Sequence, residues 1–148
     1  MTVLIRIGLA VLLLDELVVG FWNQLSPATF YTDFPTVDLT PPFSEHYARD
    51  FGGATLGIAL LLGIALVAPR RVFVIPAALA FSVFAIPHFF FHLFHLDGAT
   101  SFQAAVLTTA NAVVALLGLL IIALTVARYR RNRLQQAPAV NAATMSSN

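Results

Sequence analysis

From Ala104 to Ala127 the chain runs 24 residues without a formal charge, and Phe51–Ala68 and Val72–Leu96 add uncharged stretches of 18 and 25 residues. A helix needs about 20 mostly apolar residues to cross the hydrocarbon core of a bilayer. Such a helix also satisfies its own backbone N–H and C=O groups, as lipid requires. Composition agrees, with 59% of the 148 residues hydrophobic and only 10% charged. Soluble domains carry roughly a quarter charged residues, and disordered chains are polar rather than apolar. A compact soluble domain of this length has no interior large enough for so many apolar side chains.

A fourth apolar stretch, about residues 3–22, is interrupted by Asp15 and Glu16. Ile7–Leu14 has the length of a signal-peptide core, but the acidic pair follows at once and no small-x-small cleavage site precedes Leu25. An uncleaved span is favoured, with its acidic residues turned toward protein. The expected fold is an all-α four-transmembrane-helix bundle over residues 1–134, with spans at about 3–22, 51–68, 72–96 and 104–127. Gln135 onward is Ala, Asn, Ser and Thr without periodicity, so 135–148 is expected to be a disordered cytoplasmic tail.

Charge placement orients the spans. Arg6 precedes the first, Arg70 and Arg71 lie between the second and third, and Arg128, Arg130, Arg131 and Arg133 follow the fourth. Asp33, Asp38 and Glu45 occupy the connection after span one, and Asp97 follows span three. The positive-inside rule then places both termini in the cytoplasm of a multi-pass cell-membrane protein, such as one of a bacterial inner membrane. The outward connection 23–44 contains Pro27, Pro35, Pro41 and Pro42, which exclude one continuous helix. Its Phe30, Tyr31, Phe34 and Phe43 suit a lid packed on the bundle or an interfacial loop.

The absence of cysteine excludes disulfide exchange, thiolate catalysis and Fe–S ligation within the chain. A net charge of +1 offers no basic face for nucleic acid. What remains is His and carboxylate chemistry. At a rise of ~1.5 Å per residue, Glu16 lies ~20 Å and His88 ~24 Å from the inner ends of their helices, and Asn111 ~12 Å from the outer end. Polar residues of all four spans thus fall in the outer half, where one site can form.

His88, His92 and His95 share one helical face, continued inward by Phe81 and Phe84, with Pro87 beside it. Imidazoles at i and i+4 suit Zn, Fe or Cu, with Asp15, Glu16, Glu45, His46 or Asp50 as further ligands. A His-rich helix end bonded to water, carboxylates and headgroups explains the same residues. In Glu45–Asp50, Glu45 can pair with Arg49 and His46 with Asp50, and Ser44 is placed as N-cap. Alternatively Arg49 turns inward, is neutralised by Asp15 or Glu16, and grips a headgroup or carboxylate. Glu16 shares a face with Leu12 and Asn23, and one of the two adjacent acids is expected to pair with Arg49 or a His. Gly53 and Gly57 form a GxxxG face that serves either the bundle or another subunit.

One span, a long outward loop and three close spans resemble the DoxX-like group of small bacterial membrane proteins. The run Glu45-His46-Tyr47-Ala48-Arg49-Asp50-Phe51-Gly52-Gly53 and the run Pro87-His88-Phe89-Phe90-Phe91-His92 are similar to patterns in uncharacterised four-span actinobacterial proteins. The resemblance covers roughly Leu4–Ala127 and implies a four-helix membrane bundle, with no catalytic residue carried over.

Two functions follow as expectations. The first is a bundle that binds membrane lipid or a small ligand, or serves as an accessory subunit or homo-oligomer, using Glu16, Glu45, His46, Arg49 and Asp50. The second is a metalloprotein with His88, His92 and His95 as ligands and Glu16 or Glu45 as base for oxidoreductase or hydrolase chemistry. A b-type haem between His46 and span three ranks below a metal ion, and transport ranks last, four short spans offering little for alternating access.

Overall fold

The computed structural model describes the backbone of residues 1–39 and 42–146, and side chains as far as Gln135. Five α-helices follow one another: α1 (Thr2–Leu25), α2 (Pro27–Asp33), α3 (Glu45–Val67), α4 (Arg71–Phe94) and α5 (Ser101–Ser146). One 3-10 turn, Val37–Leu39, lies between α2 and α3, and no strand occurs among the described residues. α3, α4 and residues Ser101–Gln135 of α5 are long and apolar enough to cross a membrane. They mark the chain as a helical membrane protein. α1, which carries Arg6, Asp15 and Glu16, is not among the three.

Local sequence explains most helix ends. Ser44 caps α3, its hydroxyl accepting from the Tyr47 N–H at 3.4 Å. α3 stops before Pro69, since a residue preceding proline avoids the helical region. Pro27 opens α2 at its first position, where a missing N–H is harmless. The α4–α5 turn uses Gly98 at φ +80°, a conformation that glycine adopts without strain. Thr100 and Gln103 then form a reciprocal cap on α5: the Gln103 N–H donates to Thr100 Oγ1 (3.3 Å), and the Thr100 N–H to Gln103 Oε1 (2.9 Å). The segment from Gln135, expected to lack structure, is traced as helical backbone to Ser146. Its side chains beyond Gln135, together with residues 147–148, lie outside the described residues.

α1 packs mainly on α3 and α4 mainly on α5, while α3 meets α4 more sparsely. Ile5, Leu9 and Leu12 of α1 join Leu62 of α3, Phe81 of α4 and Ile121 of α5 in one core. The α1–α3 contact depends on two glycines. A Cβ at Gly52 would stand 2.8 Å from the Gln24 amide nitrogen and 2.9 Å from the Gly20 carbonyl oxygen, and one at Gly20 would stand 2.9 Å from Leu56. A Cβ at Gly57 would meet no other atom within 4 Å, and one at Gly53 would lie 3.7 Å from Gln24 Oε1. The close approach of α3 to α1 therefore uses Gly52, and of the GxxxG pair it is Gly57 that is left open.

The described residues of the 23–44 connection pack where α1 ends and α3 begins. Trp22 meets the rings of Phe30 and Phe34 edge-on at 5.7 and 6.0 Å, and its indole N–H donates to Thr29 Oγ1 at 2.8 Å. Phe30 is buried there, and Tyr31 packs against Phe43.

Candidate functional site

The first turns of α3 form both pairs that i, i+4 spacing predicts. Glu45 Oε1 accepts from Arg49 Nη2 at 2.8 Å and from Nε at 3.0 Å, and His46 Nε2 lies 3.3 Å from Asp50 Oδ2. Both pairs are largely exposed to solvent. Arg49 also reaches across to α1, where Nη1 donates to the backbone oxygen of Gln24. The last carbonyls of a helix have no partner within it, and a cation at that end also meets the negative pole of the helix dipole. Arg49 is thus a fastener between two helices as well as half of an ion pair.

Glu16 stands apart. It is 2% exposed, on the same buried face as Leu12 and Asn23, which places the carboxyl toward protein. Neither of its oxygens has a hydrogen-bond partner among the described residues. The expected pairing of Asp15 or Glu16 with Arg49 or a histidine does not form: Arg49 is engaged by Glu45 and Gln24, and among the described residues neither acid enters an ion pair. The physical reason is reach, because the local i+4 carboxylate lies on the same helix as Arg49. Asn23 and Asn111 likewise turn back on their own helices, donating to the Val19 and Leu107 carbonyls at 2.9 Å.

On α4 the rings form a ladder: Phe84 lies 5.6 Å from Phe51 of α3 and 5.0 Å from His88, and His88 meets His92 edge-on at 4.5 Å. His95 departs from this row. Its ring stacks on Phe91 at 4.2 Å and its Nδ1 lies 2.8 Å from the Phe91 carbonyl oxygen, at the end of the helix. Among the described residues, no three His, Asp or Glu side chains are placed to hold a metal ion. Among the described residues, those expected to converge form two exposed pairs on α3, a two-histidine row on α4 and a buried acid on α1 without a hydrogen-bond partner.

Sequence reasoning missed Gln24, Gly20 and Gly52, whose roles depend on where α1 and α3 cross. It used Arg71 and Arg128 for orientation alone, although both line a cleft with Tyr129. No family model matches the chain, and neither a curated protein nor a solved structure does.

Proposed function

We propose that the chain is a four-span protein of the cell membrane, with both termini cytoplasmic, that works as a non-catalytic accessory or lipid-binding subunit and presents α3 to its occupant. The observation that carries this is the open face of α3. A Cβ at Gly57 would meet no other atom within 4 Å, and further along the helix Leu60, Gly63, Ile64 and Val67 line an apolar groove with Ala68 and Phe73. Small residues exposed in this way let another helix or an acyl chain approach the backbone closely. Few polar groups border the groove, which suits an apolar occupant better than a polar substrate.

Counting α1 as a span rests on its outward side. Val3, Ile7, Val11, Leu14, Val18, Phe21 and Leu25 recur at helical spacing and are exposed, while Glu16 is turned inward. A helix presenting that face to water would expose a long apolar stripe. The helix order, with a loop folded over one end and three helices close behind, supports a DoxX-like architecture with no activity attached. The metalloprotein alternative has less support, since His95 is engaged with Phe91 and, among the described residues, no acid joins the His88–His92 pair.

Because the chain has no cysteine, Gly57→Cys places a single thiol on the open face of α3, Ile64→Cys places one in the groove, and Val113→Cys places one on the exposed side of α5. Native mass spectrometry from nanodiscs should find the chain with a second subunit or with retained lipid, and cross-linking from positions 57 and 64 but not 113. A bare monomer with neither partner nor lipid, or equal cross-linking from all three positions, overturns this function.

A further inference from the structure

Seven of the eight arginines (Arg6, Arg70, Arg71, Arg128, Arg130, Arg131 and Arg133) gather at the end of the bundle opposite the His row, and none of the seven acidic residues is there. The acids are Asp15 and Glu16 within α1, Asp33 and Asp38 in the connection, Glu45 and Asp50 at the start of α3, and Asp97 in the far turn. A membrane protein's orientation accounts for cations at this end. It does not account for how two of them are held.

Arg128 donates from Nη1 to the Pro69 carbonyl oxygen at 3.3 Å, tying α5 to the α3–α4 turn. The Arg71 guanidinium lies over the Tyr129 ring, 4.5 Å from its centroid, and that of Arg133 lies 6.0 Å from the same ring. A Tyr face holds a guanidinium by cation–π attraction and leaves its in-plane N–H donors free. Arg71, Arg128, Tyr129, Thr125 and Asn132 line a cleft of about 80 Å³ beside Pro69. Two guanidinium groups fixed at one small cleft repel each other, and no carboxylate pairs with either among the described residues. An anion with several acceptor oxygens removes that repulsion and bonds both forks.

We infer that this cleft binds the phosphate of an anionic membrane phospholipid. Its position favours lipid over a soluble phosphate. Val72, exposed at 68%, directly follows Arg71 beside the cleft, so a headgroup held there leaves its acyl chains against apolar surface. The inference rests on the membrane reading above and not on the open face of α3.

The test uses the full, untagged chain in nanodiscs of mixed phosphatidylcholine and phosphatidylglycerol, with retained lipid read by native mass spectrometry. Wild type should retain phosphatidylglycerol preferentially. Removing both guanidinium groups in Arg71→Gln/Arg128→Gln should lower that retention at least tenfold, given about fivefold per arginine near an anionic surface. Arg130→Gln/Arg131→Gln removes the same surface charge but leaves both guanidinium groups of the cleft in place, so its loss should be several times smaller than that of the cleft pair. Arg71→Lys/Arg128→Lys, the variant to use if the Gln pair does not fold, keeps the charge without the fork and should lose about threefold. Equal losses in the two Gln pairs, no wild-type preference, or displacement of the lipid by millimolar inorganic phosphate overturns the site. A chain that stays out of nanodiscs overturns the membrane reading and the site together, whereas an inserted chain without lipid preference overturns the site alone.

Discussion

Arg49, in the second turn of α3, donates to the backbone oxygen of Gln24, the penultimate residue of α1, and so ties the start of α3 to the end of α1 in the most extensive helix pair of the bundle. The same guanidinium holds Glu45 in an exposed pair. Magnitudes separate the two contacts. A hydrogen bond from a charged donor to an otherwise unpaired carbonyl contributes about 1–2 kcal/mol, whereas an exposed i, i+4 ion pair contributes about 0.3–0.5 kcal/mol. Arg49→Ala should therefore lower thermal stability in detergent several times more than Glu45→Ala, as followed by helical circular dichroism. Equal losses would mean that the ion pair, and not the link to α1, matters.

Gly52 and Gly57 lie on one helix and should respond oppositely. Alanine at 52 places a Cβ against the backbone of Gly20 and Gln24, and forcing α1 away should destabilise by about 1–3 kcal/mol. Alanine at 57 meets open space and should leave the isolated chain unchanged or up to about 1 kcal/mol more stable, through helix propensity. Its effect belongs to association, where Gly57→Ile should weaken any complex found by native mass spectrometry without lowering the melting temperature of the free chain. A destabilised free Gly57→Ala monomer would show that this face is already packed.

What could be read from the sequence was local. The burial of Leu12, Glu16 and Asn23 on one face follows from a 3.6-residue period, and the Ser44 cap and the Glu45–Arg49 and His46–Asp50 pairs follow from spacings of three and four. Contacts between helices were hidden. Arg49 meets Gln24 across 25 residues, and Arg71 meets Tyr129 across a still longer separation, so each depends on helix crossings that no periodicity records. The GxxxG spacing left two uses open: Gly53 lies beside Gln24 of α1, next to Gly52, and Gly57 faces open space. Convergence of the polar residues was expected from their depths alone, and depth along a helix says nothing about its rotation. Rotation puts Glu16 in the core and His95 on Phe91.

His88 and His92 meet edge-on, but two imidazoles with no third donor among the described residues make a poor site for a transition metal, which takes four or more ligands. Elemental analysis of untagged protein should give well below one Zn, Fe or Cu per chain, unchanged by His92→Ala. One equivalent of metal that disappears in His92→Ala would restore the metalloprotein reading and require a ligand from a second subunit.

Glu16 offers the sharpest stability test. A polar group buried without a hydrogen bond costs about 1–3 kcal/mol in proteins, and both Glu16 oxygens lack a partner among the described residues. Glu16→Leu has nearly the same length and fits beside Leu12 and Leu9 in the core. It should raise stability by about 1–3 kcal/mol in detergent. Glu16→Gln keeps the shape and the unmet polar atoms while removing the ionisable group, so its gain should be smaller. Both variants are to be melted alone and in nanodiscs beside wild type. A gain that holds in both settings means that the carboxyl is an unsatisfied core group. A loss confined to nanodiscs would mean that Glu16 is satisfied from outside the chain, by a lipid or a neighbouring helix, and would move the functional centre of the protein from the open face of α3 to the middle of α1.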